Sequence, residues 1–105
     1  MRGDIYRIRA KNHAHGHEQH GIRYAVVIQA DYLNLSTLLV APTSTSARPC
    51  DFRPTITIDG TETRVLVEQT AAVNAETRLG DFAGRLDAEE LTELDRALAL
   101  VLGLF

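Results

Sequence analysis

A small α+β domain, made of a strongly curled antiparallel sheet closed by one amphipathic helix, is the fold class this sequence predicts. Three observations carry that prediction. Short apolar segments recur along the chain, separated by loops rich in Asn, Gly, Pro and Ser. Asp59-Gly60 sits between two of these segments and is a strong hairpin signal. Near the C-terminal end, Asp87 stands three residues before Glu90, and Leu91, Leu94, Leu98 and Val101 follow at helical spacing until Gly103.

Gly3 to Arg9, with Ile5, Tyr6 and Ile8, reads as the first strand. Residues 10 to 22 carry Asn12, Gly16, Gly21 and all four histidines, and read as a loop. Arg23 to Ala30 is apolar enough for a central strand. Asp31 to Ser36 is a short connection with room for one helical turn. Thr37 to Thr43 is a third strand, expected to stop near Pro42, because proline cannot donate to a ladder. Residues 44 to 54 form a second polar loop holding Arg48 and Arg53 between prolines. Thr55 to Ile58 and Thr63 to Gln69 flank the hairpin. Residues 74 to 80 suit a helical turn, and Asp81 to Leu86 a short strand. In the last helix, Asp87 and Glu90 match a capping box. Leu91, Leu94, Leu98, Val101 and Leu102 form the stripe expected to pack on the core, with Leu104 and Phe105 finishing the core or meeting a second copy. Curling would protect the sheet edges, as in SH3-like barrels.

At 105 residues the expectation is one domain, spanning 1–105. A composition of 45% hydrophobic and 24% charged residues is ordinary for a globular protein. One cysteine, Cys50, cannot form an internal disulfide, and no apolar run approaches the roughly 18 to 20 residues of a membrane span. The start of the chain lacks a signal-peptide pattern, so a cytoplasmic location is expected. The net charge of −3 speaks against general nucleic-acid binding. Its distribution is uneven. Residues 1 to 64 hold eight basic and six acidic side chains, whereas residues 65 to 105 hold three basic and eight acidic ones. The first part suits contact with phosphates, and the acidic part includes the solvated face of the last helix.

The stretch with most chemical content is residues 16 to 29. A polar loop with His17, Glu18 and His20 runs into an apolar strand, and Arg23 stands at the junction. A strand end holds a side chain in place while leaving it within reach of a ligand. Arginine presents donors in a fixed fork that matches phosphate oxygens.

The segments also match a known family in order. Arg2-Gly3-Asp4-Ile5-Tyr6, Gly16-His17-Glu18-Gln19 leading to Arg23 and Ala25-Val26-Val27-Ile28, Val40-Ala41-Pro42-Thr43-Ser44, Val67-Glu68-Gln69, Arg78-Leu79 and Gly84-Arg85-Leu86 together span almost the whole chain. On these residues the chain resembles the MazF/PemK (Kid) toxins of type II toxin–antitoxin systems. The resemblance implies an SH3-like, partly closed barrel and a homodimer. It implies an endoribonuclease that cuts single-stranded RNA at short sequences without metal or other cofactor, leaving 2′,3′-cyclic phosphate and 5′-hydroxyl ends, and it implies a cognate antitoxin. The family's strand-start arginine falls on Arg23, its Thr-Ser pair on Thr43 and Ser44, and its loop glutamate on Glu18. Three positions depart from the pattern. Tyr24 replaces the usual proline, His17 a frequent serine, and Ala71 and Ala72 stand where an Arg or Lys commonly follows the Glu-Gln pair.

Cleavage of RNA by its own 2′-hydroxyl needs a proton acceptor, a stabiliser of the crowded anionic phosphorus centre, and help for the departing 5′-oxygen. Arg23 suits the second task. Thr43 and Ser44 can hold a non-bridging oxygen. Glu18 or a loop histidine can move protons, since an unperturbed histidine titrates near ~6.5. His17, His20, Gln69, Arg48 and Arg53 are the expected RNA-binding side chains. Plainer readings stand beside these. Arg23 is equally able to pair with Asp31 or Glu68, Thr43 and Ser44 are common turn formers, and Arg48 and Arg53 could be a solvated loop face. His13, His15, His17 and His20 crowd a short tract of the kind that binds zinc or nickel, but no scaffolded second cluster supports a resident metal. The rival function is a CcdB-like toxin, which shares the architecture and binds DNA gyrase without cleaving anything. A degenerate module that binds RNA or antitoxin is a third reading.

Overall fold

The computed structural model describes residues 1–9 and 23–104. Seven strands form one antiparallel sheet: β1 (Asp4–Ile8), β2 (Tyr24–Val27), β3 (Leu38–Ser44), β4 (Thr55–Ile58), β5 (Thr61–Val65), β6 (Ala71–Val73) and β7 (Leu79–Arg85). A 3-10 turn covers Val67–Gln69, and two helices, α1 (Ala75–Arg78) and α2 (Ala88–Leu102), complete the elements. The strand order is β4-β5-β3-β2-β1-β7, and β6 pairs with β3 off that path. The result is a curled half-barrel with a C-terminal helix, the architecture expected from the sequence.

β2 sits at the centre and is apolar on both faces. Strand alternation sends Val26 and Ile28 to one side and Ala25 and Val27 to the other, and all four are buried. The first side joins Ile5, Ile56, Val65 and Val67 under Leu94 and Ala97 of α2. The second packs with Val40 and Val73. The sheet bends hard enough to cover that second face itself. One source of the bend is the β1–β7 pairing, whose register shifts twice between Ile5 and Ile8, since a bulge adds local twist.

β3 is as long as the sequence suggests, shifted by one residue toward the C-terminus. It runs through Pro42, which pairs in register with Ala25 of β2. The Pro42 carbonyl accepts from the Leu66 N–H at 2.8 Å, on the side away from β2. A strand residue's N–H and C=O point the same way, so the donor that proline lacks would also face Leu66, and the β2 ladder is not interrupted. β3 uses that free side to change partners, from β6 at Leu38 to Val40 to β5 at Thr43 and Ser44. Strand β6, absent from the sequence reading, exists through this pairing. Asp31 to Ser36 forms turns and bends without a helix.

The hairpin turn and the last helix follow the sequence, but the returning strand, expected over Thr63 to Gln69, ends at Val65 and gives way to the 3-10 turn at Val67–Gln69. Asp59 and Gly60 both have positive φ, 51° and 80°, as a two-residue type I′ turn requires. At the start of α2, the Asp87 carboxylate accepts from the Glu90 N–H at 2.8 Å, and Glu90 returns to the Asp87 N–H at 2.9 Å. The other Glu90 oxygen accepts from Thr57 N–H of edge strand β4 at 3.0 Å, so the helix cap also seals a sheet edge. Gly103 closes the helix in the left-handed conformation. The apolar stripe is only partly core. Leu94 is fully buried and Leu91 and Leu98 pack against it, with Ala97 also buried. Val101 and Leu102, expected to join them, are exposed at 39% and 62%, as is Leu104.

Candidate functional site

Arg23 precedes β2 by one residue, and its carbonyl accepts from the Ile8 N–H at 3.0 Å, which continues the β1–β2 ladder to the position that carries the guanidinium. The next carbonyl, of Tyr24, accepts from the Thr43 hydroxyl at 3.0 Å. Thr43 is 3% exposed. Its proton is thus committed to fastening β3 against the strand start. Ser44 is placed differently. Its Oγ accepts from the Ser46 and Ala47 N–H groups at 3.2 and 3.1 Å, so the loop is turned around that oxygen. The Ser46 hydroxyl lies 3.3 Å away.

These residues line one cleft of about 370 Å³. Arg23, Tyr24, Thr43 and Ser44 form one wall with Thr45 and Ser46. The end of the β4–β5 hairpin completes the lining with Ile58, Asp59, Thr61 and Thr63. The structure therefore brings Arg23, Thr43 and Ser44 together from segments twenty residues apart in sequence. It adds the hairpin residues, which sequence reasoning treated only as a turn. The available signal was alternation: Thr61 and Thr63 stand in register with Ile58 and Ile56, which face the core.

Both carboxylates proposed as structural partners of Arg23 are engaged elsewhere. Asp31 accepts from the Arg2 backbone N–H at 2.5 Å. Glu68 accepts from Nε and a terminal nitrogen of Arg53 at 3.0 and 2.7 Å. Among the described residues Arg23 makes no ion pair.

The remaining candidates are not in this cleft. Arg53 lines a different recess with Cys50, Glu93 and Arg96, and its hydrogen bond to Glu68 raises its pKa above the ordinary guanidinium value. Arg48 is exposed on the preceding loop, and Gln69 is exposed on the 3-10 turn. Glu18, His17 and His20, with the whole His13–His20 tract, lie outside the described residues. Among the described residues no group of three His, Cys, Asp or Glu side chains is placed to hold a metal, and no helix is long and apolar enough to cross a membrane. Of the family departures, Tyr24 lines the cleft and packs on the core, while Ala71 and Ala72 are exposed on β6. Arg64 stands opposite Ser44 across the β3–β5 ladder, and its Nε is buried without a hydrogen-bond partner among the described residues.

The family described as PemK-like, MazF-like toxin of type II toxin-antitoxin system matches residues 1–102. The chain belongs to this toxin family. A relative in Mycobacterium tuberculosis, “Putative toxin Rv3098A”, is 41% identical over 104 residues, 99% of this chain and 98% of the relative. Solved structures share the fold at lower identity. An endoribonuclease in complex with its cognate antitoxin, from a mycobacterial species, superimposes with a TM-score of 0.80 at 17% identity, covering 100% of this chain and 96% of that one. MazF from Deinococcus radiodurans gives a TM-score of 0.77 at 24% identity, covering 98% and 96%. The PemK/MazF-like chain described here thus keeps the curled half-barrel of structures with which it shares under a quarter of its residues.

Proposed function

We propose that this chain is a single-domain toxin, the nuclease half of a type II toxin–antitoxin pair, and that it cuts single-stranded RNA in the cleft between Arg23 and the β4–β5 hairpin. The observation that carries the reading is the cleft itself. It holds a strand-anchored guanidinium without an ion-pair partner among the described residues, beside a serine whose oxygen is fixed by two backbone amides. The mycobacterial and Deinococcus structures bearing endoribonuclease or MazF names on the same fold support it.

In this scheme the substrate's 2′-oxygen attacks the adjacent phosphorus and the bond to the 5′-oxygen breaks. The products are a 2′,3′-cyclic phosphate and a 5′-hydroxyl. Arg23 stabilises the charge that grows on the phosphoryl oxygens, and preorganisation matters because its backbone is already held in the ladder. Ser44 donates its hydroxyl proton to a non-bridging oxygen. Thr43 acts through Tyr24, keeping the strand start fixed. Glu18 and the loop histidines His17 and His20 are the groups assigned to proton transfer and RNA contact, with Arg48 and Gln69 as outlying RNA contacts. The chemistry requires no metal, because the guanidinium supplies the positive charge. The partners are RNA, an antitoxin that covers the cleft, and a second copy of the chain.

The test is incubation of the purified protein, free of antitoxin, with a long single-stranded RNA in EDTA, with every new end mapped. Cuts at a short recurrent sequence with 5′-hydroxyl ends are expected. Folded protein that leaves the RNA intact would overturn the reading and shift attention to the gyrase-binding alternative.

A further inference from the structure

We propose that Asp59 is a base-reading residue, which selects a guanine placed beside the scissile phosphate. The inference rests on the ribonuclease reading above and deepens it.

The cleft is bipolar. Among its described lining residues Arg23 is the one cation and Asp59 the one carboxylate. They do not form a salt bridge with each other or with any other described residue. The two charges line one cleft without coming within ion-pair distance of each other. Arg23 is fixed at the mouth of β2, and Asp59 is fixed by the type I′ turn at φ 51°. A cleft for phosphate alone would gain nothing from the carboxylate, because like charges repel. A nucleotide has a second pole. Its phosphate is anionic, and its base edge carries N–H donors, which an ionised carboxylate can only accept from.

Among the bases, guanine alone offers two adjacent donors on its Watson–Crick edge, N1–H and the exocyclic amine, and these match both oxygens of one carboxylate. Cytosine and adenine offer a single amino group there, and uracil flanks one donor with two acceptors. Single-stranded RNA is read on such splayed-out edges. Thr61, next along the hairpin, lines the same cleft and has a hydroxyl able to donate to the guanine carbonyl. The hairpin is a rigid platform for this task. Its closing pair is Ile58 and Thr61, and Ile58 is buried in the core.

The experiment is end-mapping on an RNA pool that presents every short sequence, with wild type beside Asp59→Asn and Asp59→Gly. Both substitutions suit a left-handed turn position, so the fold is retained and thermal melting confirms it. Asn replaces one acceptor by a donor that meets guanine's own donors. The expected result is a wild-type cut site containing guanine at one fixed position, and a roughly ten- to hundredfold loss of that preference in both variants, the range for a bidentate base contact. The preference is read as a ratio of cut frequencies within each reaction, so it does not depend on a variant's overall rate. Variants that keep the wild-type preference overturn the inference while leaving the ribonuclease reading intact, as does a wild-type site without guanine. Folded variants that cut nothing overturn it too, by placing Asp59 in the cleavage step. A wild type that cuts no RNA removes the ribonuclease reading and this inference with it.

Discussion

Five arginines away from the cleft and the arginine at its mouth are built on opposite plans; Arg7, Arg48 and Arg64 form no ion pair among the described residues either, but none of them lines the cleft. Arg2 hydrogen-bonds the Ile28 carbonyl and pairs with Asp95 of α2. Arg9 and Arg78 exchange bonds with each other's backbone, and Arg9 also reaches the Leu79 carbonyl at 2.9 Å. Arg85 holds the buried Asp4 at 2.7 Å, and Arg53 holds Glu68. Each ties together segments that are distant in sequence. Among the described residues Arg23, at the cleft, has only its backbone so engaged. The difference teaches that charge in this chain divides by pairing. A cation used to hold the fold finds a carboxylate or carbonyl, and one left unpaired on a fixed backbone at a concave surface is available to a ligand. No inspection of residue types makes that division, because all of these side chains are the same.

The strongest way to probe the structural side is Leu94→Ala. Leu94 is fully buried between α2 and the sheet, and its truncation is expected to cost about 2 to 5 kcal/mol in denaturant unfolding. An unchanged midpoint would mean that the helix is not the lid of the core.

Asp4→Asn sharpens the comparison through pH. Burial opposes the charge on Asp4, but the Arg85 hydrogen bond and the nearby N-terminal ammonium outweigh it and hold the carboxyl below its ordinary range. A carboxylate with a depressed folded pKa adds stability above its unfolded value near ~3.9, and loses it as pH falls through the folded value. Wild type is therefore expected to exceed Asp4→Asn at neutral pH by about 1 to 3 kcal/mol. The gap should close below about pH 4. A gap that stays constant down to pH 2 would show that packing, not charge, accounts for it.

Ser44→Ala tests the cleft side with a smaller effect. Removing one neutral hydrogen bond to a phosphate oxygen, about 1 kcal/mol, should slow RNA cleavage roughly five- to tenfold. Cleavage by Ser44→Ala at the wild-type rate would take the serine out of the scheme.

Much of this was legible before the structure. The Asp59-Gly60 turn, the Asp87–Glu90 capping box and the Gly103 stop are local signals, so neighbouring residues suffice to read them. What escaped depends on distant parts of the chain. Strand β6 has only three residues and exists because β3 offers a free edge. Pro42 continues β3 because its missing donor faces away from β2. Val101 and Leu102 keep the helical period but lie exposed, which no periodicity records. At the cleft, Arg23 stands one residue before β2, and Thr43 and Ser44 lie on the adjacent β3. The commitment of the Thr43 proton to Tyr24, the pairing of Arg53 with Glu68 and the arrival of Asp59 in the cleft that Arg23 lines all required the folded register.

The most direct test of the division by pairing sets Arg23→Ala against Arg53→Ala, with initial RNA cleavage rates and thermal melting measured on both. The account predicts that Arg23→Ala loses about a hundred- to a thousandfold in rate, the scale of removing one transition-state donor, with no change in melting. Arg53→Ala should keep its rate and lose a little stability, because its pair with Glu68 is partly exposed. Equal losses of rate in the two variants, or the larger loss in Arg53→Ala, would contradict it.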